Sequence, residues 1–184
     1  MTSAPEGTSA RYVELLEAAY RYVLDRGISE LSLRPLATAI GSSPRVLLYL
    51  FDSKDGLVRA LLARAREDEL ALLRSEAHGT LAEAARHVWS WLASAEHAPL
   101  LRLWLEAYSR SVIDPDGPWG EFARSTVEDW LAVLAAAQPP AVRRTARGSA
   151  ERTLALAVLR GALIDLLATG DAKRITASVH RYFA

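Results

Sequence analysis

The fold is decided by residues 31 to 57, which read LSLRPLATAIGSSPRVLLYLFDSKDGL. In this stretch Ser32 can cap a short helix that ends at Gly41, a residue suited to a left-handed C-terminal cap. Ser43 followed by Pro44 is typical of an N-cap and the first residue of a second short helix. The pattern predicts two short helices joined by a tight turn, which is the spacing of a helix-turn-helix.

Apolar residues recur at helical spacing along nearly the whole chain, and no alternating strand pattern of useful length occurs. We therefore expect an all-α protein of about nine helices. A first helix, with Val13, Leu16 and Tyr20 on its apolar face, completes a three-helix N-terminal domain over residues 1–53. Longer helices that hold all the tryptophans form a C-terminal domain over residues 54–184. The Pro- and Gly-containing connection before the eighth helix allows a short turn of its own.

Composition limits the class of protein. The chain has 184 residues, of which 51% are hydrophobic, so it can bury a substantial core. It contains no cysteine, which excludes disulfides, thiolate metal ligands and cysteine nucleophiles. No basic start followed by an apolar run precedes Arg11, and no apolar run is long enough to span a bilayer. We expect a cytoplasmic protein without a membrane segment.

Charge points to DNA only locally. Twenty-two Lys and Arg balance twenty-two Asp and Glu, so no global positive field attracts nucleic acid. Residues 31 to 50, however, carry Arg34 and Arg45 and no acidic residue. A second basic run is either another nucleic-acid patch or a solvated connection, and it consists of Arg143, Arg144, Arg147 and Arg152.

The third helix has the chemistry of a DNA-reading helix. It should present Arg45, Val46 and Tyr49 outward, with Leu47 and Phe51 turned inward. Arg can bind a guanine edge or a phosphate, and Tyr can bind a phosphate or contact a thymine methyl group. By spacing alone, the same residues also fit an ordinary helix pair of an all-α protein.

The stretch 31–57 resembles the N-terminal signature of the tetracycline-repressor (TetR) family. The matching features are Ala and Gly around the turn, the Leu-aromatic-x-Phe end of the third helix, and the Ser-Lys-acid-x-Leu start of the fourth. The likeness extends over about residues 9 to 60, and the segment 160–171 is similar to a dimer-helix ending seen in many members.

The resemblance implies a homodimeric regulator, mostly a repressor, with a ligand pocket in its C-terminal domain. Two positions depart from the family pattern, because Leu48 stands where the family often has Tyr and Leu50 where it often has His. The DNA-binding residues that we expect are Ser32, Arg34, Ser42, Ser43, Arg45, Val46, Tyr49 and Lys54.

The C-terminal domain holds candidate ligand-binding residues among its aromatic side chains. Aromatic residues at helical spacing are commonly core, but pockets are also apolar with a few placed polar groups. Glu106 and Arg160 could each be one of these polar groups or a partner in a structural salt bridge. We expect an aromatic, mostly uncharged or weakly charged effector, and the predicted set is Trp89, Trp104, Tyr108, Trp130 and Arg160.

The last two helices should form a four-helix interface across a two-fold axis, with small residues that allow close approach and apolar residues that supply area. A two-fold dimer predicts a palindromic operator with half-sites about 34 Å apart, or a multiple of that distance. The interface residues that we expect are Leu154, Val158, Gly161, Ala162, Ile175 and Val179.

No catalytic or cofactor motif occurs in the sequence. The four histidines lack metal-ligand spacing, and there is neither a Gly-rich phosphate loop nor a Gly-x-Ser-x-Gly nucleophile. We therefore expect no enzyme activity, no metal and no cofactor. The predicted function is a DNA-binding regulator that a small ligand releases from a palindromic operator. The alternative is a helical ligand-binding or adaptor protein that does not bind DNA specifically.

Overall fold

Apolar side chains at helical spacing give a chain built from helices. The computed structural model describes residues 6–28, 31–73 and 79–184, and within them it has ten α-helices, one 3₁₀ turn and no strand. The all-α class is therefore confirmed, and α8 is a short extra helix in the connection where a turn was allowed. The helices are α1 (Glu6–Arg26), α2 (Leu33–Ala39), α3 (Pro44–Phe51), α4 (Lys54–Leu73), α5 (Leu81–Leu92), α6 (Ala98–Ile113), α7 (Gly120–Ala136), α8 (Pro140–Arg143), α9 (Ala146–Thr169) and α10 (Ala172–Tyr182).

Local capping explains where several of these helices begin and end. The hydroxyl of Thr80 accepts a hydrogen bond from the backbone amide of Glu83 at 3.2 Å, which satisfies a free donor in the first turn of α5. Gly170 ends α9 in the left-handed conformation, with φ +70°. Asp171 then caps α10 by accepting from the amide of Arg174 at 3.0 Å. Because Gly170 ends α9 and the next residue caps α10, the chain turns from one helix into the other at these two residues.

The chain divides into two compact units. Unit 1 comprises Met1–Asp68 and Arg102–Ala123, and unit 2 comprises Glu69–Leu101 and Arg124–Ala184. This division cuts α4 at its fifteenth residue, whereas the boundary predicted at residue 53 lies just before α4 begins. Unit 1 therefore contains the whole helix-turn-helix together with parts of α4, α6 and α7.

In unit 1 the buried face of α1 differs from the predicted stripe. Leu15, Ala19 and Val23 are buried at four-residue spacing, and Tyr20 lies beside them. Val13, which we expected on this face, is 55% exposed. The small Ala19 supplies a core position that a count of large apolar residues overlooks.

Arg64 of α4 binds α1 through a polar cluster at the edge of this core. Its Nε donates to Glu17 Oε1 at 2.5 Å, its Nη1 donates to Asp68, and its guanidinium lies 5.0 Å from the ring centre of Tyr20. The Tyr20 hydroxyl donates to Asp68 Oδ2 at 3.0 Å. The hydrogen bonds that Arg64 donates to Glu17 and Asp68 raise the pKa of Arg64, while burial and the nearby Asp68 raise the pKa of Tyr20. Arg64 therefore stays charged and Tyr20 protonated at neutral pH.

The core of unit 2 is formed by α5, α9 and α10, which pack against one another. Trp89 is fully buried, and its indole Nε1 donates to Thr176 Oγ1 of α10 at 3.0 Å. Arg86 donates to the backbone carbonyl of Phe183 just beyond α10. These bonds satisfy polar groups at the ends of an otherwise apolar contact.

Two residues expected at a subunit interface belong to this core. Ile175 and Val179 are 3% and 2% exposed within the single chain. They lie one turn apart on the face of α10 that packs inside unit 2, so their side chains offer no area to a second subunit. The expected four-residue repeat is present, but it marks the inner face of α10.

No helix in the described ranges is both long and apolar enough to cross a membrane.

Candidate nucleic-acid interface

The two helices of the predicted motif, α2 and α3, are joined by a turn at Gly41. Gly41 has φ +65°, and its amide donates to the carbonyl of Thr38 at 3.4 Å. The next amide, that of Ser42, donates to Ala37 at 2.8 Å. These bonds use the last carbonyls of α2, so that α3 can begin at Pro44, three residues after the glycine.

Inward-facing side chains hold the motif. Leu36 and Ala37 of α2 and Leu47 and Phe51 of α3 are each less than 5% exposed. The ring of Phe51 also packs on Tyr12 of α1, with 4.7 Å between the ring centroids. With these positions inside, the remaining side of α3 must face solvent.

The outer face of α3 presents the side chains expected to read DNA. Arg45 is exposed, Val46 is 37% exposed and Tyr49 is 76% exposed. Arg45 and Tyr49 are four residues apart and therefore neighbours on one face. Leu48, three residues after Arg45, is 42% exposed and extends this face. Leu48 is not among the predicted DNA-binding residues, because its side chain is apolar and the family often has Tyr at this position.

The serines near the turn differ in their surroundings. Ser43 is the N-cap of α3, and its hydroxyl accepts from the amide of Val46 at 3.3 Å. Ser32 lies at the N-cap position of α2, but its exposed side chain makes no capping hydrogen bond. The Ser42 oxygen is buried and has no hydrogen-bond partner among the described residues. Of the three hydroxyl oxygens, that of Ser42 is therefore the least accessible to an external ligand.

Three of the predicted residues share an open cleft of about 610 Å³. They are Ser32, Arg34 and Lys54, from the starts of α2 and α4, and none of the described residues that line the cleft is acidic. Pro35 and Pro44, which the sequence analysis did not include in the site, contribute to its wall. The structure thus places the predicted residues in two groups, the cleft and the outer face of α3.

The aromatic ligand candidates are largely internal. In unit 2, Trp89 and Trp130 are 0% and 2% exposed, and Arg160 is partly buried. In unit 1, Trp104 is 4% exposed and stacks on Tyr108 with 5.1 Å between the ring centroids. The Trp89 indole is already bonded within the core, which favours a structural role for this residue.

A stripe of small and apolar residues lies on the outer side of α9. Leu154 is 54% exposed, and Gly161 is exposed with no neighbouring atom where a Cβ would stand. Val158 and Ala162, also expected at the interface, are partly buried. Ile164, absent from the predicted set, is 47% exposed and lies three residues after Gly161. This α9 stripe consists of Leu154, Ala157, Gly161, Ile164 and Ala168.

Comparison with known proteins agrees with this geometry. Residues 15–61, which include α2 and α3, match the sequence profile described as bacterial regulatory proteins, tetR family. The match covers the helix-turn-helix and the first turns of α4. No curated protein matches the sequence.

Solved structures extend the likeness to most of the chain. A transcriptional regulator from Rhodococcus sp. Rha1 is 19% identical, with 94% of this chain and 93% of that one covered and a TM-score of 0.77. The multidrug binding protein EbrR in complex with imidazole is 25% identical, with 94% and 89% covered and a TM-score of 0.65. EbrR in complex with proflavin is 24% identical, with 95% and 99% covered and a TM-score of 0.67. The whole chain therefore has the TetR fold, with an N-terminal DNA-binding domain and a helical C-terminal domain.

The turn of the motif generates a direct test. We predict that Gly41→Ala lowers the free energy of unfolding by about 1 kcal/mol, because a left-handed φ is unfavourable for a residue with a Cβ. No atom lies within 4 Å of that Cβ, so the effect isolates the backbone. Gly41→Asn should cost less, since Asn tolerates this conformation better. Urea denaturation measures both, and an alanine variant as stable as the parent contradicts the assigned turn.

Proposed function

We propose that this TetR-family protein is a dimeric transcriptional regulator, most simply a repressor, that binds a palindromic operator through α3. The observation that carries the proposal is an exposed surface in which the outer face of α3, which carries Arg45, adjoins the cleft that holds Arg34 and Lys54. Residues 31–51 contain no Asp or Glu, so this stretch is basic although the net charge of the chain is zero.

The side chains suggest separate tasks at the DNA. Arg45 can form paired hydrogen bonds with a guanine edge, and Val46 can contact a thymine methyl group. Tyr49 can bond a phosphate or contact a thymine methyl group. Arg34 and Lys54, in the cleft, suit phosphates that fix the position of the protein on the duplex. Ser43 can add a hydroxyl beside α3, and Ser32 one within the cleft, whereas the buried oxygen of Ser42 makes the weakest candidate.

Dimerisation is proposed through the α9 stripe. Its small residues permit close approach of a second helix, while Leu154 and Ile164 supply exposed apolar area. Val158 and Ala162 lie at the edge of this surface and keep their proposed interface role. The inner side chains of α10 instead stabilise each subunit. A two-fold arrangement places two reading helices on successive turns of DNA, about 34 Å apart or a multiple of that distance.

In a dimer, the helices α2 and α3 of each subunit form one reading head. Ligand control follows if an effector and DNA favour different separations of the two reading heads. Each then weakens binding of the other by the same factor, typically about 5- to 150-fold, or roughly 1–3 kcal/mol. EbrR, which has this fold, binds imidazole and proflavin. We propose an aromatic effector here, with Trp104 and Tyr108 of unit 1 as the leading contacts. In unit 2, Trp130 and Arg160 are separate candidates.

The second candidate function is a helical ligand-binding or adaptor protein that has no specific operator. The exposed Leu48 and the partly buried Leu50 favour it, because neither side chain can donate a hydrogen bond to a phosphate. The two functions differ in their response to salt. A DNA-binding dimer that neutralises several phosphates loses affinity steeply as the salt concentration rises.

We predict that selection from a random or genomic DNA pool at near-physiological salt enriches a palindrome. Arg45→Ala should weaken binding to that sequence by about 1–3 kcal/mol and relax the preference at one base position in each half-site. Arg34→Ala should weaken binding to all sequences alike and reduce the salt dependence. The matched control is Arg124→Ala, an exposed arginine on α7, which should bind as the parent does. A folded dimer that enriches no sequence supports the adaptor function.

We predict that Ile164→Asp produces monomers at micromolar concentration, because it places a charge in the apolar interface. The dissociation constant of the dimer should rise on the order of 100-fold, as estimated from a burial cost of several kcal/mol. Ile113→Asp is the matched control, since Ile113 is 82% exposed on α6, outside the α9 stripe. Light scattering after size-exclusion chromatography measures the mass, and equal dimerisation of both variants removes α9 from the interface.

We predict that an aromatic effector changes the intrinsic tryptophan fluorescence, because Trp104 stacks on Tyr108 at the proposed contact. A broad aromatic library that includes proflavin supplies the probes. Trp104→Phe should remove most of the change while the protein stays folded. Fluorescence that is constant across the whole library contradicts an aromatic effector.

A further inference from the structure

Glu106 of α6 contacts the segment that joins α1 to the reading head. Its Oε2 accepts a hydrogen bond from the backbone amide of Ile28 at 3.1 Å. The same oxygen lies 3.4 Å from the point where a Cβ on Gly27 would stand. Seventy-eight positions separate Glu106 and Ile28 in sequence, so this bond fixes the turn to a distant part of the chain.

The turn after α1 lacks the full set of local bonds that commonly closes a helix. Gly27 has φ +80°, and its amide donates to Val23 at 2.9 Å, as in a simple left-handed cap. In a Schellman motif the following amide would also bond to a carbonyl of the same helix. Here that amide belongs to Ile28 and its partner is Glu106, so a side chain of α6 completes the end of α1.

The same turn is bonded to the start of the reading head. The amide of Leu31 donates to the carbonyl of Ile28 at 3.1 Å, and both side chains are less than 5% exposed. Leu31 lines the cleft together with Ser32 and Arg34. A shift of Ile28 is therefore expected to reach Leu31, three residues on, and through it the cleft that Arg34 and Lys54 line.

On the other side, Glu106 is rigidly carried by α6. Leu103 and Ala107, which flank it on that helix, are 2% and 0% exposed. Two residues before and after Glu106 are Trp104 and Tyr108, the leading candidates for contact with an effector. Any movement of this part of α6 must move the carboxylate that binds the turn, because packed helices shift as units.

We propose that Glu106 is a positioning residue that holds the turn at Gly27 and Ile28, and that α6 sets the position of α2 on DNA through this hydrogen bond. The inference rests on the proposed DNA-binding function and names one of its regulatory contacts. When Glu106 accepts this hydrogen bond, α2 is already held in place in the unbound protein. DNA binding then avoids the entropy cost of ordering α2. With the bond absent, the unbound head samples more positions and the affinity for the operator falls.

The experiment compares Glu106→Ala, which removes the acceptor, with Glu106→Gln, whose amide oxygen can still accept from Ile28. Glu128→Ala is the matched control, an exposed glutamate on α7. Two quantities are measured on the full-length protein: hydrogen exchange of the Ile28 amide by NMR, and affinity for the duplex selected with the parent protein. Non-operator DNA is measured in parallel, and thermal unfolding verifies that each variant is folded.

For Glu106→Ala we expect faster exchange at Ile28 and about fivefold weaker operator binding, the loss that corresponds to one net hydrogen bond. Affinity for non-operator DNA should fall by a smaller factor, since the cations that bind phosphate are still present and only their positioning is loosened. Glu106→Gln should remain within about twofold of the parent in both measurements. Unchanged exchange at Ile28 in the alanine variant overturns the proposal, as does faster exchange with unchanged operator affinity.

Failure of the proposed function has a different signature. If the parent protein selects no operator, the proposed DNA-binding function is contradicted. The role of Glu106 in holding the turn at Gly27 and Ile28 can still be tested. In that case the amide chemical shifts of Leu31 and Ser32 decide the inference. Shifts that change in Glu106→Ala and return in Glu106→Gln support it, and shifts equal in all variants overturn it.

Discussion

Burial of Leu47 and Phe51 is the constraint on which the reading surface depends. An α-helix of eight residues has little stability of its own, so α3 persists because these two side chains are held in the core of unit 1. Their inward placement fixes the rotation of α3, and rotation alone determines that Arg45, Val46 and Tyr49 face outward. The outward placement of the side chains proposed to read DNA is therefore a consequence of packing, and Gly41 supplies the backbone geometry that lets α3 reach its place.

Local signals account for what the sequence could predict. Ser43-Pro44, Thr80 and Gly170-Asp171 mark helix ends through bonds made within a few residues, and the helices begin or end there. The outward residues of α3 follow from one periodicity anchored by two large apolar side chains. The same reasoning is weaker on α1, where Val13 and Leu15 each continue a helical stripe and only tertiary packing selects Leu15.

Long-range contacts set the limit of that reasoning. The repeat of Ile175 and Val179 correctly indicates an apolar face of α10, but periodicity cannot tell whether a face is covered by the same chain or by a partner. The bond between Ile28 and Glu106 spans 78 positions and involves a backbone amide, which carries no sequence identity. Arg64, Glu17 and Asp68 likewise form their cluster only once α1 and α4 are packed.

A net charge of zero gives the geometry of the head unusual influence. A strongly basic protein binds DNA widely through its overall field, and small displacements of single cations matter little. In this chain the acids elsewhere cancel the overall field, so the proposed attraction to DNA depends on the few cations around α2, α3 and the start of α4. These cations raise the affinity for DNA most when their relative positions are fixed, so that they contact several phosphates at the same time. A contact that moves α2 by a small distance, such as the bond to Glu106, can therefore change affinity without touching DNA.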